Sequence, residues 1–150
     1  MKKFKFSLQK VLEIKEQLLK NMKDELNYLN QQIKRIEGEI TCLRNKYSET
    51  NKEFVEKSSV SMTIGEMSYY KIFMNNILKD ITKKEEEKEI VNKKIEAKKL
   101  DIIEMNKEIS SLEKLRDKEL EKYNEGILKS EEIFIDEFVS NKTTLKQYMF

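Results

Sequence analysis

Histidine, proline and tryptophan are absent from this chain of 150 residues, cysteine occurs once and glycine three times. Without imidazole there is no His-based nucleophilic site, no histidine metal ligand and no proton shuttle near neutral pH. Cys42 alone forms neither an internal disulfide nor a thiolate zinc site. A lone thiol flanking an apolar position reads as inert and points to a reducing compartment. No P-loop or dinucleotide fingerprint occurs. Apolar residues never run on towards 18 in a row, so no membrane insertion is expected. The opening Met1-Lys2-Lys3-Phe4-Lys5-Phe6 starts like a secretory leader, but Gln9, Lys10, Glu13 and Lys15 deny it a continuous apolar stretch. The expectation is a cytoplasmic protein, not an enzyme, with no cofactor, metal or catalytic residue.

With no proline and only Gly38, Gly65 and Gly126, the main helix breakers are missing too. What is there instead is charge. Charged residues make up 39% of the chain and hydrophobic ones 38%, against about 25% and 45–50% in ordinary globular domains. The 30 basic and 28 acidic residues are interleaved. That gives an ion-paired helix surface and no basic stripe, so nucleic acid is not an expected partner.

Apolar residues recur at alternating spacings of four and three. The first series runs Leu8, Leu12, Lys15, Leu19, Met22, Leu26, Leu29, Ile33, Ile36, Ile40, Leu43, Tyr47, Thr50, Phe54. The second runs Met67, Tyr70, Met74, Ile77, Ile81, Lys84, Lys88, Val91, Ile95, Lys98, Ile102, Met105, Ile109, Leu112. Heptads sustained this long specify a supercoiled seam. Between them, Ser58 to Met62 reads as a loop, and Thr63-Ile64-Gly65-Glu66 matches a capping box. A short connection makes antiparallel neighbours. The fold class is therefore all-α: a long antiparallel two-helix coiled-coil hairpin with a C-terminal helix overhang. It is expected as one domain over 1–150, with a helix at about 7–57, a loop at about 58–63, a helix at about 64–140 and a tail at 141–150. Folding near residue 60 sets Phe54 near Met67, Leu29 near Val91 and Leu8 near Leu112, and the spacing leaves a shift of one layer either way open. After Leu112 the heptad slips, with Leu120, Tyr123, Ile127, Phe134 and Phe138 as the next apolar positions. At ~1.5 Å per residue the overhang is roughly 40 Å.

Lys84, Lys88 and Lys98 fall on the seam. Either they snorkel out of it, or they form polar layers that fix the register. In Met67 to Leu78, Tyr69, Ile72 and Phe73 are large, apolar and off the seam. They mark a protein contact or widen the stripe near the hairpin tip. Val11, Ile14 and Leu18 broaden the stripe at the start. The overhang with Phe134 and Phe138 lies at the same end as Phe4 and Phe6. The overhang needs a partner, or residues 4–14 pack back on it.

The opening Phe4-x-Phe6-x-Leu8-Gln9-Lys10-Val11-Leu12-x-x-Lys15-Glu16 resembles the start of the flagellar export protein FliJ family. Tyr70-Lys71-Ile72-Phe73-Met74-Asn75-Asn76-Ile77 resembles that family's Tyr-x-x-Phe-x-x-x-Leu stretch, and Asp136-Glu137-Phe138 fits as well. The resemblance implies a component of the flagellar type III export apparatus, similar in fold to the central stalk of rotary ATPases. It implies three partners: the export ATPase ring, the cytoplasmic domain of the export gate, and export chaperones. It places the gate contact on Tyr70, Phe73 and Ile77, with Tyr47 on the first helix. At Asp80 and Lys84 the chain departs from the family's stripe. The ATPase-ring end carries Phe4, Phe6, Phe134 and Phe138. The chain is expected to be a monomer, peripheral to the membrane apparatus. The competing reading is a homodimeric coiled-coil scaffold or spacer unrelated to export.

Overall fold

The computed structural model describes residues 2–148. Helix α1 spans Gln9–Val60 (52 residues) and helix α2 spans Ile64–Tyr148 (85 residues). The two pack against each other as an all-α helical hairpin, as the heptads require. The chain divides into two compact units, Met1–Leu19 with Glu104–Phe150, and Lys20–Ile103. A single domain is expected from the sequence. Two helices paired side by side touch only their near neighbours along the seam, so no one core gathers the whole chain.

In the unit Lys20–Ile103, Ile36, Ile40, Val91 and Ile95 form the buried core, with Leu26, Leu29 and Ile33 packed against it. Only three residues, Ser61 to Thr63, connect the helices, where a loop over 58–63 is expected. Nothing at 58–60 stops α1. The Ser58 and Ser59 hydroxyls donate to the Val55 and Glu56 carbonyls at 3.0 and 2.7 Å, and the Ser61 amide donates to the Lys57 carbonyl. Polar composition alone does not end a helix when the side chains bond back into it. Thr63 then caps α2: the Glu66 amide donates to its Oγ1 at 3.2 Å, half of the expected capping box.

Of the registers the heptads leave open, the helices take the one shifted by a layer from the Phe54–Met67 pairing. Phe54 meets Tyr70, ring centroids 5.7 Å apart, instead of Met67. In the pairs Glu25–Lys98, Glu39–Lys84 and Glu53–Tyr70 the residue numbers all add to 123. The seam lysines explain why. Lys84 reaches Glu39 at 2.7 Å, Lys88 reaches Glu37 at 3.4 Å and Lys98 reaches Glu25 at 2.5 Å. Each acceptor is the sequence neighbour of a seam aliphatic: Ile40, Ile36 and Leu26. A lysine stem is long enough to cover the facing aliphatic while its ammonium closes on the adjacent carboxylate. Snorkelling and register selection are thus one arrangement. A parallel homodimer would set Lys84, Lys88 and Lys98 against their own copies, which like charge disfavours.

In the unit formed by both termini, Leu12 is fully buried and Phe6 and Ile109 nearly so. The same device recurs: Lys15 pairs with Glu108 at 2.6 Å, beside Ile109. Beyond Leu112 the half-buried positions are Arg116, Glu119, Tyr123 and Ile127, and Leu120 is exposed. Burial therefore keeps heptad steps of four, three and four from Leu112 to Tyr123, which the apolar residues alone do not display, and then takes a further step of four to Ile127. Helix α2 runs through Gly126 and on through 141–148, where a tail is expected. The Thr143 and Thr144 hydroxyls donate to the Val139 and Ser140 carbonyls, both at 2.9 Å. With no glycine or proline after Gly126, nothing there breaks the helix. Residues 149 and 150 of that tail lie outside the described residues.

Two outcomes are expected. A Cβ built on Gly38 or Gly126 meets nothing within 4 Å, and neither glycine has positive φ. Gly38→Ala and Gly126→Ala should each stabilise the protein by ~0.5–1 kcal/mol, read as a higher midpoint in thermal circular dichroism. The second concerns pH. The hydrogen bond from Lys84 holds the Glu39 carboxyl below its ordinary 4.5. Hydrogen bonds to Glu39 and then Glu87 raise Lys84 above 10.5, and one to Glu25 raises Lys98 likewise. A lowered acid stabilises the fold above its unfolded pKa, and that stability is lost as pH falls through the folded value. A raised lysine contributes below its unfolded pKa and loses that as pH rises through its folded value. The midpoint should be flat between 4.5 and 10.5 and fall on either side, with a shallower acid limb in Glu39→Gln. An unchanged acid limb in that variant would count against the Lys84–Glu39 pair.

Candidate protein-interaction surfaces

The Thr63 cap fixes where α2 begins, and so where its first turns present their side chains. Tyr70 points into the seam and is held there. Its ring packs on Phe54, its hydroxyl donates to Glu53 at 3.0 Å, and the Lys57 ammonium lies 5.6 Å from its centroid. Lys57 also pairs with Glu53 at 3.2 Å. Lys57 and then Tyr70 bond the Glu53 carboxyl and hold it below its ordinary range. Tyr70 and then Glu53 push Lys57 up. The anchored tyrosine carries a second layer. Tyr69 meets it edge-on at 6.2 Å and stacks on Phe73 at 6.3 Å with 12° between the rings. The Lys46 ammonium sits 5.2 Å from the Phe73 centroid. Tyr69 and Ile72 are 68% and 62% exposed. The result is an outward apolar surface on an inner frame of charge pairs and ring contacts.

The four residues assigned to the gate contact therefore divide. Tyr70 and Phe73 belong to this cluster and are half-buried. Ile77 is 4% exposed, its side chain spent in the seam. Tyr47 is half-buried on α1. The surface itself is made by Tyr69, Ile72 and Phe73. The supporting Lys46, Glu53 and Lys57 are not legible from sequence, because their relation to Tyr70 and Phe73 exists only once the register is known.

The four residues assigned to the ATPase-ring end divide as well. Phe4 packs on Tyr123 with centroids 5.6 Å apart, and the Tyr123 hydroxyl donates to the Lys2 carbonyl at 2.5 Å. Phe6 is 7% exposed. The N-terminal segment thus lies back on α2 as far as Tyr123. Every residue from 128 to 148 is exposed. Phe134 and Phe138 lie there at 69% and 53%, the latter with the Lys142 ammonium 4.8 Å from its ring. Packing back and an uncovered overhang both hold, on successive stretches of α2.

Among the described residues no cluster of acidic residues and cysteine is placed to hold a metal ion, and no helix is long and apolar enough to cross a membrane. Aromatic surfaces mounted on paired helices are equipped for protein contact. No curated protein and no solved structure matches the chain. The family model described as flagellar FliJ protein matches residues 4–147. That match spans both helices, the N-terminal segment and both surfaces, and on it the chain belongs to the FliJ family of flagellar proteins.

Proposed function

We propose that this protein is a non-enzymatic interaction component of the flagellar type III export apparatus. In this reading it is cytoplasmic and peripheral to the membrane machinery. It docks on the export ATPase ring through the unit that bears both termini, contacts the cytoplasmic domain of the export gate through the aromatic surface near the hairpin tip, and assists in handling export chaperones. Family membership supports a flagellar export role. The observation that carries the gate assignment is the Tyr69–Phe73 stack, mounted on an anchored Tyr70, with Tyr69 exposed and Phe73 half-buried. A preorganised aromatic pair loses little conformational freedom on docking and gains from burial, as hot-spot residues do. Tyr70 and Ile77 serve the contact from beneath, by holding α2 in place, and Tyr47 does so from α1. On the ATPase side Phe134 and Phe138 offer the contact, and Phe4 and Phe6 brace the helix that carries them.

Phe73→Ala should weaken binding to the gate's cytoplasmic domain by about tenfold or more, with helicity unchanged. Ile77→Ala should instead lower stability by ~2–5 kcal/mol, as a buried aliphatic truncated to alanine does. Calorimetric titration read beside thermal melts separates the two effects. Full gate affinity in folded Phe73→Ala would sink the surface assignment.

A further inference from the structure

Two uncovered apolar faces lie in the unit formed by both termini, and their charges are opposite. The first is built around Lys15. Val11 and Leu18 lie four residues before it and three after it, on its side of α1, and Ile14 continues that stripe. Lys15 reaches Glu108, and Leu115 stands one heptad beyond Glu108 on the same side of α2. Val11, Ile14, Leu18 and Leu115 therefore share one face, and all four are exposed. Lysines rim it. Lys10 shares a stripe with Ile14, and Lys118 and Lys122 lie three and seven residues after Leu115; all three are exposed. The second face is the helix beyond Tyr123, with Leu128, Phe134, Ile135, Phe138 and Val139 all more than half exposed. It is acidic. Residues 125–139 hold Glu125, Glu131, Glu132, Asp136 and Glu137 against Lys129 alone, and Glu131 stands on the apolar stripe one turn before Phe134 and Ile135.

Within one molecule the two faces do not meet. Among the described residues the N-terminal segment is bonded to α2 at Tyr123, every residue from 128 to 148 is exposed, and α2 continues unbroken to Tyr148. To lie on its own Val11 face, the acidic stretch would have to fold back and break that helix. A second copy meets the requirement without distortion. We propose that two copies form a two-fold dimer, in which the 128–139 helix of each lies on the Val11–Ile14–Leu18–Leu115 face of the other. The exchange is isologous, so both apolar faces of both copies are covered at once. Lys118 and Lys122 meet Glu131 and Glu132 at the rim, which sets the direction of docking. The intramolecular seam is untouched. The monomer expected from sequence is then the dissociated form. The pairing covers Phe134 and Phe138, which the export reading gives to the ATPase ring, so the dimer and the ring-bound form exclude each other, and self-association is measured without any export partner.

Sedimentation equilibrium on the purified full-length protein tests this. The chain should reach twice its 18.0 kDa mass with rising concentration, and less readily in high salt. Lys118→Glu with Lys122→Glu should raise the dimer dissociation constant by about tenfold or more with helicity retained. Adding Glu131→Lys and Glu132→Lys to that variant should restore the dimer. Single-chain mass at every concentration overturns the proposal. So does a dimer indifferent to the lysine reversals, or one that the compensating reversals fail to restore.

Discussion

A helix with two charged residues in every five has little apolar surface to bury, so the pairing of α1 with α2 depends on how lysine is used inside the seam. At Lys84, Lys88 and Lys98, and separately at Lys15, one helix supplies a long cationic side chain where an aliphatic would normally stand. The facing helix supplies an aliphatic with a glutamate beside it. The ammonium meets the carboxylate, which leaves the methylene stem free to lie on the aliphatic. Apolar contact provides the attraction, and the charge pair rejects neighbouring registers and self-pairing, where lysine would face lysine or glutamate would face glutamate. Helices within proteins owe more of their stability to packing than to propensity, so the heptads and these pairs together are what hold α1 against α2.

The exposed surfaces are set by what the seam consumes. Seam positions near the hairpin tip absorb Ile77 and most of Tyr70. The off-seam Tyr69 and Ile72 are left outside and Phe73 half so, stiffened by ring contacts and by Lys46. In the unit bearing both termini, the N-terminal segment covers α2 as far as Tyr123, and Phe4 and Phe6 are used in doing so. The acidic, aromatic continuation of α2 and the basic-rimmed face around Lys15 stay uncovered there. A two-helix ribbon has no second layer, so an apolar residue off the seam is either exposed or covered by another molecule.

Much of this was legible in the residue pattern. The spacing of four and three from Leu12 to Phe54 and from Tyr70 to Leu112 gives both helices and their shared stripe, because burial in paired helices follows the period directly. Thr63 gives the start of α2. The end of α1 was less legible: the serines at 58 and 59 look like a loop by composition, yet their hydroxyls bond back to the helix. The expected tail at 141–148 failed for the same reason at Thr143 and Thr144. The site residues were legible as chemistry but not as geometry. Phe134 and Phe138 are outside, whereas Phe6 and Ile77 are inside and Phe4 is half-buried, and only packing against the other helix decides which.

Sequence by itself determined the helical class, the antiparallel pairing and the family, since each rests on local period, on a short connection or on motif residues read along one chain. Tertiary structure decided the register, the fate of the seam lysines and which aromatics are uncovered. These depend on side chains as far apart in the chain as Lys15 and Glu108, or Glu25 and Lys98. Shifting a heptad by one layer leaves the apolar pattern intact, so periodicity cannot choose between layers. Charges fixed across the seam can, because a lysine finds its carboxylate in one register and loses it in the next.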